Sequence, residues 1–462
     1  MFEPNVYVHR RKALKKRMGS GLLLFLGNDE SPMNYRANTY QFRQDSTFLY
    51  YWGLDFPGLA ALIDVDADQE VLFGDDYGVD DIVWMGPQPS MAERAAQVGV
   101  DTVRPLGEVE KWTQRAIHQG QRIHFLPQYR SENQLKLEQL TGVRASWVNT
   151  SFSREFVRAV VAQRSVKSAQ EVAEIEKALD ISYEMYQHAV RTIAPGLYER
   201  EVAGTIDGLV WARGSAPAFP TIFTVHGEIL HGHSHENLMQ EGQLVVFDSG
   251  AESPCHYASD ITRTYPVSGT FTPLQKDIYE VVLAAQQKAI AMMAPGVPNR
   301  EAHLAAARVV ADGMRQLGFM KGDPQAAVEA GAHALFFPHG LGHMLGLDVH
   351  DMENLGEDFV GYDEEFTRSE QFGLAYLRLA KRLQPGFVVT VEPGIYFIPE
   401  LVAQWKANGK HRSFINYDRV ERHLNFGGIR IEEDVLITRT GHRVLGKPIP
   451  KTVNEIEACM RR

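Results

Sequence analysis

An internal repeat constrains this 462-residue chain more than any other feature. Ala194-Pro195-Gly196 is followed by Arg200-Glu201, and Ala294-Pro295-Gly296 by Arg300-Glu301. Each copy lies between one long helical pattern and a second. Farther on, Gly242-Gln243-Leu244-Val245-Val246-Phe247-Asp248-Ser249-Gly250 is mirrored by Gly386-Phe387-Val388-Val389-Thr390-Val391-Glu392-Pro393-Gly394. In each copy an acid closes a β-branched run between two glycines. Each half then supplies another acid, Asp260 in Ser-Asp-Ile-Thr-Arg and Glu432 in Ile-Arg-Ile-Glu-Glu-Asp. Three echoes in one order predict a duplicated α/β unit folded about a pseudo-two-fold axis.

Ahead of the repeat, helical and strand patterns alternate. Residues 9–18 are charged and helix-like; 21–26, 60–65 and 70–73 read as short strands; 90–98 and 132–140 read as helices. That alternation predicts a separate α/β domain. After Arg164-Ser165-Val166-Lys167 the character changes. Ser168, with Glu171 three residues on, forms a capping box, and Val172, Ile175, Leu179, Tyr186 and Ile193 follow at helical spacing. The boundary falls just before this helix, giving domains 1–165 and 166–462.

A net charge of -11, with no basic stripe in the sequence, disfavours nucleic-acid binding. The start, Met1-Phe2-Glu3-Pro4, shows no signal-peptide pattern, and the run Leu22-Leu23-Leu24-Phe25-Leu26 is too short for a membrane span. Cys255 and Cys459 are the only cysteines, so a disulfide scaffold is not expected and a reducing cytoplasm is.

The pseudo-two-fold axis brings Asp248, Asp260, Glu392 and Glu432 together on one sheet face. Four adjacent carboxylates repel one another and must either hold protons or bind cations. Two metal ions bridged by carboxylates resolve the conflict. A surface acid or helix cap is the ordinary reading of any one of them, but not of four in matching, apolar-flanked places. Pro338-His339-Gly340-Leu341-Gly342-His343, then His350, add nitrogen donors among small residues that allow close packing. His231 follows Ile229-Leu230; His233 and His235 read as loop residues, although the tract alone would pass for a metal site.

Taken together, Asp248, Ser259-Asp260-Ile261-Thr262-Arg263-Thr264, His339-Gly340-Leu341-Gly342-His343, Val391-Glu392-Pro393-Gly394 and Gly428-Ile429-Arg430-Ile431-Glu432 resemble the pita-bread metallopeptidases. Within them the chain is similar to the aminopeptidase P and prolidase branch. Tyr40-Gln41-Phe42-Arg43-Gln44-Asp45-Ser46 through Trp52-Gly53 looks like that branch's N-terminal domain. The resemblance implies an N-terminal α/β domain followed by a duplicated α+β catalytic domain. It further implies two divalent metal ions, usually manganese, held by Asp248, Asp260, His343, Glu392 and Glu432. Asp248 and Asp260 would hold one ion; Asp260, His343, Glu392 and Glu432 would hold the other or bridge. A shell rich in oxygen with one imidazole suits manganese.

The expected reaction is cleavage of the bond between an N-terminal residue and proline in a small peptide, with a metal-bridging hydroxide attacking the carbonyl. Glu392 takes the nucleophile's proton, His350 stabilises the oxyanion, and His231 and His339 line the pocket and assist proton transfer. Tyr396 and Arg430 are candidate lining groups; their plainer readings are a core-edge tyrosine and an arginine paired to an acid. The long segment around Gly373-Leu374-Ala375-Tyr376-Leu377-Arg378 resembles prolidases more than short-loop aminopeptidases P. By that match Arg378 pairs with a dipeptide's free carboxylate; otherwise it is an exposed arginine on an amphipathic helix. The alternatives are an aminopeptidase acting on longer peptides, a methionine aminopeptidase, or a silent relative that only binds. The family's habit points to a homodimer.

Overall fold

The run Leu22–Leu26 is buried at every position, as a strand covered on both faces must be. In the computed structural model, which describes residues 1–461, it is an inner strand of a five-stranded sheet. It pairs antiparallel with Ala60–Asp64, which pairs antiparallel with Gln69–Phe73. Short parallel strands, Ile123–His124 and Val103–Arg104, close the two edges. Helices Val109–His118 and Ser131–Thr141 cover one side and bury Val109, Ala116, Leu137 and Leu140 against Leu24, Leu62 and Phe73. The helix Ser46–Trp52 is buried along its whole length; Asp45 caps its start by accepting from Phe48 N.

Two compact units make up the chain: Met1–Arg164 with Glu353–Phe359, and Ser165–Met352 with the residues from Val360 onward. The small segment Glu353–Phe359, which falls inside the range read above as catalytic, belongs with the first unit. Its Phe359 packs edge-on to Phe152 at 6.0 Å.

The second unit carries the repeat as architecture. Ser168 and Glu171 form their capping box at the head of the helix Ala169–Thr192, which leads into Glu199–Ala212. The second copy begins with Pro273–Met292, capped by Thr272 and Gln275, and continues with Asn299–Gln316. Strands follow each helix pair. In the first half Leu244–Ser249 lies between Ile222–Thr224 and Ile261–Pro266; in the second, Val388–Val391 pairs with Glu433–Ile437, and Gly394–Tyr396 with Gly428–Arg430. The fold is therefore an N-terminal α/β domain and a duplicated pita-bread α+β domain.

The halves are joined strand to strand. Glu432 N donates to Thr262 O at 3.0 Å, and Arg430 N donates to Thr264 Oγ1 at 3.1 Å. The fully buried Arg263 donates to Glu432 O and ion-pairs with Glu433, both at 2.7 Å. Such a buried cation is tolerable only because its donors all find acceptors. Among the described residues no helix is long and apolar enough to cross a membrane, and both Cys255 and Cys459 are free thiols.

Candidate metal centre and active site

Asp260 and Glu432 each stand one residue before a strand, Ile261–Pro266 and Glu433–Ile437, at matching places in the two halves. Asp248 lies near the end of its own strand, and Glu392 directly follows Val388–Val391. All four carboxylates and His343 line one cleft. Side-chain atoms of Asp260, His343 and Glu432 lie within 4.8 Å of one another. His343 Nε2 is 3.4 Å from Asp260 Oδ2 and 3.6 Å from Glu392 Oε1.

The backbone settles which nitrogen of His343 faces the acids. Nδ1 lies 3.0 Å from Met344 O, a group that only accepts, so Nδ1 carries the proton and Nε2 presents its lone pair. Gly342 lets this happen: a Cβ there would sit 2.0 Å from Thr390 O. With that approach open, His343 N donates to Thr390 Oγ1 at 3.1 Å and Thr390 N donates back to His343 O at 3.0 Å.

The donor set fits a cation. Asp248 Oδ1, Asp260 Oδ1 and Glu432 Oε1 are buried carboxylate oxygens with no hydrogen-bond partner, and an anionic oxygen left so is costly unless a positive charge meets it. Burial first, then Asp248, Asp434 and Glu392, pushes the Asp260 carboxyl well above its usual range. Glu432 is raised likewise, by burial and then by Asp260, Glu392 and Asp248. Burial raises Glu392 as well, against the opposing pull of His343 and Arg430. These are acids that would rather hold protons than stand charged together, and a cation takes the proton's place.

Behind the acids runs a hydrogen-bonded chain. Arg430 Nη2 meets Asp248 Oδ2 at 2.6 Å, Arg430 Nη1 donates to the Tyr396 hydroxyl at 3.0 Å, and that hydroxyl lies 2.9 Å from His339 Nε2. His339 Nδ1 is 2.8 Å from Gly340 O, which fixes the proton on Nδ1 and makes Nε2 the acceptor from Tyr396. Burial, reinforced by Arg430, lowers His339 to about 3, so it stays neutral. Burial pushes Tyr396 up to about 12.

One expectation changes here. Tyr396 is wholly buried and is not among the cleft-lining residues; it holds Arg430 and His339 from behind. His339 lines the cleft as expected, with its two nitrogens held by Gly340 O and the Tyr396 hydroxyl. Arg430 answers both readings given it, since it lines the cleft and pairs with Asp248.

His231, His350 and Arg378 also reach the cleft. The His350 ring centroid is 4.3 Å from that of His343. His231 is lowered from its usual value by burial, then by Arg430 and Arg378. Arg378 follows a 3-10 turn, Leu374–Tyr376, and not an amphipathic helix.

The sequence reading passed over several groups. His233 lines the cleft although it was read as a plain loop residue, whereas His235 turns away to Thr221 O at 3.0 Å. Asp434 accepts from Asp260 N at 3.1 Å, and its place two residues beyond Glu432 was the available signal. Lys167 and Asp351 form an ion pair at 2.8 Å with each side chain 1% exposed, anchoring the residue next to His350. Nothing local in the sequence joins positions so far apart.

Comparison with known proteins agrees with this geometry. Residues 173–439 match metallopeptidase family M24, and residues 7–124 match the aminopeptidase P N-terminal domain. The chain is 33% identical over 455 residues to the Xaa-Pro dipeptidase of Homo sapiens, covering 96% of this chain and 89% of that protein. It is 32% identical over 473 residues to a probable Xaa-Pro aminopeptidase of Metarhizium acridum, covering 95% and 90%. Among solved structures, aminopeptidase PepP of Pseudomonas aeruginosa superposes with a TM-score of 0.81 at 29% identity over 99% of this chain and 98% of that one. The chain belongs to metallopeptidase family M24, in the branch that carries an aminopeptidase P N-terminal domain.

Proposed function

We propose that this Xaa-Pro peptidase acts foremost as a dipeptidase, cutting the bond between an N-terminal residue and a C-terminal proline. The observation that carries the dipeptide preference is Arg378, a guanidinium lining the same cleft as the metal-binding carboxylates. A dipeptide places its free carboxylate one residue beyond the scissile bond, and a guanidinium binds that group through paired hydrogen bonds. An aminopeptidase acting on longer chains is the second reading, favoured by the kinship with proteins named Xaa-Pro aminopeptidase.

Asp248, Asp260, His343, Glu392 and Glu432 would hold two divalent ions. Such a pair, when bound, supplies a water of lowered pKa and polarises the scissile carbonyl. Manganese suits the four carboxylates and single imidazole, with no thiolate near. The side chain of Glu392 is 19% exposed, against 7% for Asp260, so it reaches the cleft and can take the attacking water's proton. His350, beside His343, donates to the oxyanion as it develops. Neutral His231 and the His339 wall orient the substrate, and Arg430 fixes Asp248 so that its other oxygen points inward. Proline's tertiary amide offers no N–H, so recognition by wall contacts rather than backbone pairing fits the chemistry.

The test is a panel of Xaa-Pro dipeptides and Xaa-Pro-Xaa tripeptides, assayed with manganese and then with cobalt or zinc. Arg378→Leu is expected to cost on the order of a hundredfold in kcat/KM on dipeptides and far less on tripeptides, the loss of one charge-assisted pair. Equal losses on both would return Arg378 to a structural role.

A homodimer is part of the same reading. The helix Val79–Met85 has no buried residue, and its Trp84 is 85% exposed beside Val83 and Met85. An apolar patch of that kind favours association with a second copy. Sedimentation should give twice the 51.9 kDa of one chain; a single-chain mass at micromolar concentration would rule the dimer out. The free thiols accord with a reducing cytoplasm.

A further inference from the structure

The duplicated Ala-Pro-Gly motif plays no part in the chemistry described so far, yet both copies make the same set of bonds. After the first, Gly196 N donates to Met239 O at 2.9 Å, Met239 N to Leu197 O at 2.9 Å, and Glu199 N to Asn237 O at 3.0 Å. After the second, Gly296 N donates to Leu383 O at 2.8 Å, Leu383 N to Val297 O at 2.9 Å, and Asn299 N to Lys381 O at 3.0 Å. Isolated bridges fall at matching positions, Tyr198 with Leu238 and Pro298 with Arg382. Gly196 and Gly296 both take the left-handed conformation, at φ 87° and 83°, which turns each chain to meet its partner segment.

Each motif thus grips a segment that leads back to one wall of the cleft. Upstream of Asn237 lie His231 and His233; three residues upstream of Lys381 lies Arg378. The third residue after each motif completes the grip. Glu199, wholly buried, accepts from Val225 N at 2.7 Å, Asn237 N at 3.2 Å and Asn237 Nδ2 at 3.0 Å, closing both ends of the loop that carries the two histidines. Asn299, 2% exposed, donates from Nδ2 to Leu379 O at 3.0 Å, the carbonyl next to Arg378.

We propose that Glu199 and Asn299 are a matched pair of positioning residues, one per duplicated half, with Glu199 setting the His231–His233 wall and Asn299 setting Arg378 and hence the preference for dipeptides. A buried carboxylate with three N–H donors makes a stiff anchor, because charge-assisted bonds are strong and no water competes. A single donor at Asn299 holds a segment rather than a loop, so its influence reaches Arg378 and not the opposite wall. The part concerning Arg378 rests on the dipeptidase reading.

The experiment compares Asn299→Ala, Asn299→Asp and Glu199→Gln in the manganese-loaded enzyme, with Arg378→Leu alongside. Asn299→Asp keeps the shape and sets an acceptor against the Leu379 carbonyl, so it serves if the alanine variant folds poorly. Either Asn299 variant is expected to raise KM for Xaa-Pro dipeptides on the order of tenfold, the effect of one buried hydrogen bond, with a smaller change in kcat and on tripeptides. Glu199→Gln should raise KM on both substrates together. Amide hydrogen exchange should quicken at residues 379–383 in the first case and 225–239 in the second. Equal loss on both substrates in the Asn299 variants, or unchanged exchange at 379–383, overturns the proposal. If Arg378→Leu itself shows no substrate selectivity, the carboxylate reading fails on its own, and the exchange pattern alone decides the positioning role.

Discussion

Glu392→Gln should leave a folded protein that no longer turns over peptide. The substitution keeps the shape of the side chain but removes a charge from the metal shell and the acceptor proposed to take a proton at the cleft. General-base loss alone is worth about a hundredfold to ten-thousandfold, and a weakened ion site adds to it. Because Glu392 sits among acids that burial already raises, replacing it relieves repulsion. The metal-free variant is therefore expected to melt at or above the temperature of the metal-free parent. Activity assays paired with metal analysis and calorimetry check both halves of the result. Near-normal turnover in a variant that still holds two ions would remove Glu392 from the proton-transfer role.

The second large effect concerns the protein stripped of its metals. Asp260, Glu432 and Glu392 have their carboxyls raised in the fold above their unfolded values. Between those two values the native state holds more protons than the unfolded chain, so stability falls as pH rises through that window. These acids penalise the metal-free fold once pH exceeds the ordinary carboxylate range, and the penalty lifts as pH falls back. Cations abolish it by binding the native state alone, contributing about 2.7 kcal/mol at a hundred times Kd. Chelated protein is thus expected to lose melting temperature as pH rises above the usual carboxylate range near 4, since these acids titrate above it, while the manganese-loaded protein does not. A chelated protein whose melting temperature climbs with that rise in pH would refute the carboxylate-repulsion account.

Much of this centre could be read in the chain before any coordinates. Asp248 and Glu392 are legible because duplication repeats the glycine–acid–glycine spacing around them, a local signal sampled twice, and Asp260 and Glu432 because each half then supplies a further acid. Helix starts such as Ser168 with Glu171 are legible because capping is settled within four residues. What escaped is what depends on distant pairing. Tyr396 looked like a pocket residue because it sits close to Glu392 in sequence, yet pairing with Gly428 sends its hydroxyl to Arg430. Lys167 meets Asp351 across 184 positions. His233 differs from His235 only in which way the loop turns, and Glu199 outside the cleft helps to fix that loop.

The strand-to-strand join between the halves has a bearing on how the enzyme is made. Thr262 Oγ1 donates to Glu432 Oε2 at 2.7 Å across 170 positions of chain. Closing a loop of that length costs roughly 4–5 kcal/mol in chain entropy, recovered only when the two halves dock. A nascent chain that has delivered Asp248, Asp260 and His343 therefore still lacks Glu392 and Glu432, and the join that orients them. Synthesis must pass the last of these acids before the ion site exists, so a nascent chain that stops short of Glu432 carries no complete site.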